Sequence, residues 1–106
     1  MEESSLSVTD KQSAAVQKTE NRVTLESMEK AVESVEYFNP KTAPQMTVAF
    51  VKFNNGYVVI GESAPADPAN FNEELGKKFA REGALRKAWP LFGFALCNAI
   101  AEKAAA

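Results

Sequence analysis

Histidine is missing altogether from this chain of 106 residues. It is the commonest general base, proton shuttle and metal ligand in proteins. There is also a single cysteine, Cys97, which excludes an intrachain disulfide and a cysteine-bound metal cluster and fits a reducing compartment. We therefore expect no catalytic residues, no metal and no cofactor, and a protein that binds its target without transforming it.

Long hydrophobic runs and a strong charge of either sign are missing too. No stretch reaches the ~18 apolar residues that a membrane span needs, and residues 1–5 carry neither the basic nor the apolar part of a secretion signal. The 12 basic and 14 acidic side chains give a formal net charge of -2, which provides no general attraction for phosphates. We expect a protein that is neither secreted nor membrane-spanning, with nucleic-acid binding as the less favoured alternative.

What is present is the composition of one folded domain. With 45% hydrophobic and 25% charged residues the chain is ordinary for a globular protein, and its length allows one domain. Residues 1–22 are rich in Ser, Lys, Gln and Glu, with too few apolar side chains to offset the entropy of ordering them. We interpret residues 1–22 as a disordered tail and residues 23–106 as a single small α+β domain.

An N-terminal helix is predicted from Thr24 onward, because apolar side chains recur there at three- and four-residue spacing. The apolar positions are Leu25, Met28, Val32 and Val35. Thr24 suits the N-cap, and Asn39-Pro40 ends the segment.

An antiparallel β-hairpin is predicted next, from residues 46–53 and 57–62, which are rich in Val, Phe, Ile and Tyr. If Asn55 and Gly56 form the centre of a type I′ turn, the turn fixes the register. The facing pairs are then Asn54–Tyr57, Phe53–Val58, Val51–Ile60 and Phe50–Gly61. Neither face of this hairpin is polar, so helices, further strands or a second subunit must cover it, and we expect a homo-oligomer.

A long C-terminal helix is predicted after residues 67–70, with a kink near Trp89-Pro90. Small residues recur on it at four-residue spacing and invite close packing of another helix or of the sheet; they are Gly76, Ala80, Ala84 and Ala88. After Pro90 the helix is apolar nearly all round, so we expect this last segment to be buried.

Candidate binding residues lie on and before the C-terminal helix. Its cations could hold a phosphate or an acidic protein surface, although Glu73 and Glu74 can also balance them on a solvated face. The loop before the helix leads to free backbone amides that can receive an anion. Tyr57 could stack a base or belong to the core. The predicted ligand- or partner-binding residues are Tyr57, Glu62, Asn70, Lys77, Lys78 and Arg81.

Several short motifs between residue 22 and about residue 100 occur together in this order. They are Glu36-Tyr37-Phe38, Asn55-Gly56-Tyr57, Gly61-Glu62-Ser63-Ala64, Asp67-Pro68-Ala69-Asn70-Phe71, Glu74-Leu75-Gly76, Ala80-Arg81, and Trp89, Leu91, Gly93, Phe94 and Leu96. In these motifs the chain resembles the gp-forty-nine/sixty-six family of small tailed-phage proteins. The resemblance implies a phage-encoded protein that acts in the cytoplasm of an infected bacterium. It implies no activity and no functional residues.

Small non-structural phage proteins commonly act by stoichiometric binding, and we extend this to the chain by analogy. The leading hypothesis is a binding protein that inhibits or redirects a host or anti-phage defence protein. The alternative is an oligomeric sponge that sequesters a nucleotide-type immune signal through Lys77, Lys78 or Arg81. A nucleic-acid-binding accessory protein is a further alternative.

Overall fold

The computed structural model describes residues 4–105 and confirms the α+β class. In chain order the elements are α1 (Ser5–Ala15), α2 (Leu25–Ala31), β1 (Val32–Phe38), β2 (Thr47–Phe53), β3 (Val58–Ser63), a short 3-10 helix (Pro68–Asn70) and α3 (Glu73–Ala105). The three strands form one antiparallel sheet in the order β1-β2-β3. The predicted N-terminal helix (as α2), β-hairpin and long C-terminal helix are therefore present, and β1 adds a third strand to the hairpin.

The core lies between α3 and one face of the sheet, which we call the inner face. Every second residue of β2 points to α3 and is buried, and these residues are Thr47, Ala49, Val51 and Phe53. On the helix, Ala80, Ala84 and Ala88 are fully buried. The predicted ridge of small residues therefore packs against the sheet, because methyl side chains let a strand backbone come close to the helix backbone.

The predicted first helix is wrong in its second half. The helix ends at Ala31, and residues 32–38 form β1, in which Val35 faces Val51 and Tyr37 faces Ala49 across the sheet. This segment is rich in β-branched and aromatic residues, which suit a pleated surface. The edge of β2 offers it backbone partners that local periodicity does not reveal, and the resulting strand pairing outweighs helix propensity.

The predicted hairpin is confirmed, but its predicted register is wrong by one residue. The Phe53 amide donates to the Tyr57 carbonyl (2.9 Å), so the loop has three residues and not two. Its last residue, Gly56, has a φ of 92°, the left-handed conformation that glycine adopts easily. Lys52 therefore faces Val58. Because side chains alternate along a strand, this slip moves every β3 side chain to the opposite face of the sheet.

Residues 5–15 are helical, which differs from the predicted disordered tail; residues 1–3 of that tail lie outside the described residues. Ser4 caps α1 by accepting a hydrogen bond from the Ser7 amide (3.1 Å), and Leu6 is buried in the core with 4% exposure. Asp10 pairs with Arg22 (2.7 Å) and also accepts from the Leu25 amide (3.1 Å). The carboxylate thus fastens α1 to the start of α2, through contacts that composition alone does not reveal.

The pH dependence of this attachment follows from the pKa of Asp10. Burial opposes ionisation of Asp10, but hydrogen bonds from Arg22 and the Leu25 amide outweigh it and lower the pKa below its ordinary value. A carboxyl group with a lowered folded-state pKa stabilises the fold above its unfolded pKa of about 3.9. That stabilisation is lost as the pH falls from this value through the folded-state pKa.

We expect Asp10→Asn to loosen α1 at pH 7. Losing hydrogen bonds to a charged group costs about 1.5 kcal/mol, which corresponds to roughly tenfold faster amide hydrogen exchange in residues 5–15. Glu20→Gln, at an exposed position of the same region, is the control and should leave that exchange unchanged. The difference in exchange rate between wild type and Asp10→Asn should vanish below the folded-state pKa of Asp10. Equal protection of the two proteins at pH 7 would contradict the assigned role of Asp10.

The C-terminal helix continues through Pro90 to Ala105, so the proline does not interrupt it; a bend at Trp89-Pro90 stays a prediction. The predicted burial of the last segment is wrong for the single chain, because Phe94 is 71% exposed and Cys97 is exposed. Phe92 still contacts the sheet, where its ring meets that of Phe53, but the residues after it are largely exposed. In the described range 4–105, no helix is both long and apolar enough to cross a bilayer.

Candidate binding surface

The sheet has a second face, turned away from α3, which we call the outer face. Five apolar side chains from all three strands lie on it: Phe38, Val48, Phe50, Val58 and Ile60. Phe38, Val58 and Ile60 are 45%, 46% and 43% exposed, and the other two are partly buried. The three-residue hairpin loop creates this face, since the register that it sets turns Val58 and Ile60 away from the core.

An aromatic pair lies within the outer face. The Phe38 and Phe50 rings stack with centroids 5.4 Å apart and an interplanar angle of 21°. Phe50 faces Ile60 across the hairpin, and Phe38 faces Val48 across the β1–β2 pair. Large aromatic side chains on a rigid sheet can supply contact area to a partner at little cost in conformational entropy.

Charged side chains surround this apolar surface. Lys52 pairs with Glu33 (3.0 Å), and Lys87 lies 3.5 Å from Glu62 while donating to the Ile60 carbonyl (2.9 Å). All four of these charged side chains are about half exposed, so the pairs contribute little to stability. An apolar centre with a polar, solvated rim is the usual anatomy of a protein–protein interface.

A pocket of about 210 Å³ opens where the hairpin tip meets α3. Its wall includes Phe53 and Phe92, whose rings meet edge to face at 5.2 Å, together with Tyr57 and Leu91. Ligand sites for small molecules usually measure about 300–1,000 Å³ and hold a few convergent polar groups. The size and apolar wall of this pocket suit an inserted apolar side chain better than a nucleotide.

The predicted cations of α3 each face a carboxylate or solvent. Lys77 lies 3.3 Å from Glu73 and 5.6 Å from the centre of the Tyr37 ring, and Arg81 lies 3.9 Å from Glu29. Lys78 is exposed. A phosphate that bound Lys77 or Arg81 would compete with carboxylates of the same chain, which weakens the support for a nucleotide site there.

The remaining predicted residues lie at separate places. Glu62 is at the rim of the outer face, paired with Lys87; Tyr57 is 56% exposed at the hairpin tip, at the other end of β3. Asn70 is exposed in the 3-10 helix. The structure therefore does not gather the six predicted residues into one site.

Sequence reasoning missed the outer face itself. The apolar spacing predicts a helix at Phe38, and a two-residue hairpin loop predicts Val58 and Ile60 on the same face as Val51 and Phe53, which are buried. The signal that could have corrected β3 is the Asn54-Asn55-Gly56 loop, because glycine in third position also suits a three-residue hairpin loop.

One family model matches residues 23–100, and its description is phage protein (N4 Gp49/phage Sf6 gene 66) family. The matched span contains α2, the whole sheet and most of α3, and thus the complete outer face. No curated protein and no solved structure matches the chain.

Proposed function

Since the chain belongs to the N4 Gp49/phage Sf6 gene 66 family and is a phage protein, we propose that it acts by stoichiometric binding and not by catalysis. The target is a host or anti-phage defence protein in the cytoplasm of the infected bacterium. The bound chain inhibits or redirects that protein.

The observation that supports this proposal is the outer face. Soluble proteins rarely leave a contiguous apolar surface of several large side chains open to water unless it meets a partner. Here the stacked Phe38 and Phe50 lie beside Val48 and Ile60, on a sheet whose other face is already packed against α3. Because the strands hold these side chains in place, binding orders little of the chain and most of the buried area contributes to affinity.

The rim indicates the kind of surface that fits. Three carboxylates, Glu33, Glu36 and Glu62, and two ammonium groups, Lys52 and Lys87, belong to strands of the outer face or contact its edge. A matching target has an apolar patch with a rim of mixed charge. Such a rim sets orientation and association rate more than affinity.

Two substitutions on the outer face test the proposal. The full chain, expressed during infection, is used to isolate a target, which is then purified and titrated. We expect a complex of fixed stoichiometry. Phe38→Glu and Ile60→Glu should each raise its dissociation constant by at least about 30-fold, because each puts a charge in the apolar centre. Phe79→Glu on α3, where the ring is 48% exposed, is the matched control and should leave the affinity unchanged.

Circular dichroism and thermal unfolding establish that each variant is folded. A purified complex that tolerates both outer-face substitutions contradicts the proposal. Loss of binding on substitution of Lys77 and Arg81, together with thermal stabilisation by a cyclic nucleotide, would favour the nucleotide sponge. A nucleotide at 100 times its dissociation constant stabilises a protein by about 2.7 kcal/mol.

A further inference from the structure

The apolar stripe of α3 continues beyond the end of the sheet. Ala84 and Ala88 are buried under the strands, and the same side of the helix continues through Leu91 and the adjacent Phe94 and Ala95. Leu91 is 46% and Phe94 71% exposed. The pocket at the hairpin tip lies where the stripe leaves the sheet, between Ala88 and Ala95. One continuous helix face thus begins in the core and ends in solvent.

This half of the helix, in which Trp89 and Phe92 pack against the core and most later residues are exposed, also lacks charge. Residues 88–101 contain no Asp, Glu, Lys or Arg, whereas a helix face in contact with water normally carries them. Lys87 and Glu102 border the segment. Contact with water is therefore unfavourable for this surface, and contact with another apolar surface is favourable.

The dimensions of the chain leave enough surface for a dimer. Its radius of gyration is 16.2 Å, against about 13 Å for a compact domain of this length. Its accessible surface is 7424 Å², against about 5,800 Å² for a monomer of this mass. The excess is larger than the roughly 800 Å² that each partner buries in a standard interface.

The spacing of side chains on this side of the helix between Lys87 and Glu102 is symmetric, and its one unlike pair is Leu91 with Asn98. The order reads Lys87, Leu91, Phe94, Ala95, Asn98 and Glu102, with intervals of four, three, one, three and four residues. The midpoint lies between Phe94 and Ala95. Two helices that pair antiparallel about this midpoint bring Phe94 of each copy over Ala95 of the other, a large side chain on a small one. They also bring Lys87 of each copy opposite Glu102 of the other.

We propose that two copies of the chain pair through residues 87–102 of α3, antiparallel, about a twofold axis between Phe94 and Ala95. A twofold interface must be complementary to itself, and a segment with its cation and its anion equidistant from the centre meets that condition. This interface uses none of the five apolar side chains of the outer face; only Lys87 belongs to both surfaces, because it also contacts Glu62 at the rim.

The mass in solution tests the pairing. Sedimentation velocity or light scattering of the full chain should give twice the 11.5 kDa of one chain, falling on dilution. Phe94→Glu puts a charge at the centre of the pair and should raise the dimer dissociation constant at least about 30-fold. Phe79→Glu, the same change on the same helix but off the stripe, should leave the constant unchanged. A mass of 11.5 kDa at all concentrations overturns the proposal.

Cysteine pairing tests the direction. Two variants, Lys87→Cys and Glu102→Cys, are each prepared in a Cys97→Ala background. Each variant is oxidised by itself, and an equimolar mixture of the two is oxidised in parallel. The mixture should give a reducible dimer that contains one copy of each variant, because antiparallel helices bring these positions together. Identical positions lie about 22 Å apart in that arrangement. Cross-linking of Glu102→Cys with itself at an equal rate, or no cross-linking of the mixture, overturns the antiparallel pair.

Discussion

Replacing Gly61 by alanine should lower the free energy of unfolding by at least about 3 kcal/mol, at the upper end of what overpacking usually costs. Gly61 lies in β3 where the strand crosses α3. A Cβ at this position would overlap the carbonyl oxygen of Ala80 and lie 2.5 Å from the amide nitrogen of Ala84. Both atoms belong to the helix backbone, which cannot move aside as a flexible side chain can. The strand must therefore move off the helix and give up part of the core.

Gly93→Ala is the matched control for this prediction. Gly93 is in the same helix that Gly61 contacts, and apart from its chain neighbours and the adjacent helix backbone an added Cβ there has no described atom within 4 Å. Alanine in a helix interior should stabilise by about 0.5–1 kcal/mol relative to glycine. Urea titrations of both variants measure the two effects with opposite signs. A cost below about 1 kcal/mol for Gly61→Ala would contradict the close approach of β3 to α3.

Leu85→Ala should destabilise the protein by about 2–5 kcal/mol, the usual range for a buried leucine. Leu85 is 1% exposed and belongs to the core cluster that contains Val51 and Phe53 from β2 and Leu6 from α1. The lost side chain leaves a cavity that rigid strands cannot close completely. Because Leu6 belongs to the same cluster, we also expect faster hydrogen exchange in α1.

Leu75→Ala makes the same chemical change on the same helix at a position that is 46% exposed. Its effect should stay within about 0.5 kcal/mol, as is usual for surface substitutions. Comparing the thermal and urea unfolding of Leu85→Ala with that of Leu75→Ala separates the effect of burying Leu85 from the effect of the helix propensity of leucine. Equal losses for the two variants would contradict a core centred on this side of α3.

The elements that depend on local sequence were predictable. The helix-start signals at residues 67–70 predicted α3, and the four-residue spacing from Gly76 to Ala88 predicted its close packing. The segments rich in Val, Phe, Ile and Tyr on either side of Asn55-Gly56 predicted the hairpin. The segment 32–38 was not predictable from periodicity, because Val32 and Val35 fit a helix face and Val35 and Tyr37 fit a strand face equally well. Pairing with β2, a contact between distant residues, decides between them.

The same distinction explains the site. The charged residues Lys77, Lys78 and Arg81 are prominent in the sequence, yet Lys77 and Arg81 face Glu73 and Glu29 of the same chain. The outer face depends on β1 and on a one-residue choice of hairpin loop at Gly56. Both are settled by tertiary packing. Helix α1 was missed for a similar reason, since Leu6 and Asp10 contribute only through contacts with later residues.

Pro90 divides α3 into two parts that need not unfold together. Proline has no amide hydrogen, so the carbonyl of Arg86, four residues earlier, loses its partner in the helical ladder. Both residues are exposed, so solvent can satisfy that carbonyl. Trp89 and Phe92, on either side of this gap, pack against the core, so opening that starts at Ala105 meets packed turns at about Phe92. In a separate chain, the terminal turns can therefore unwind and rewind while the part of the helix beneath the sheet stays intact.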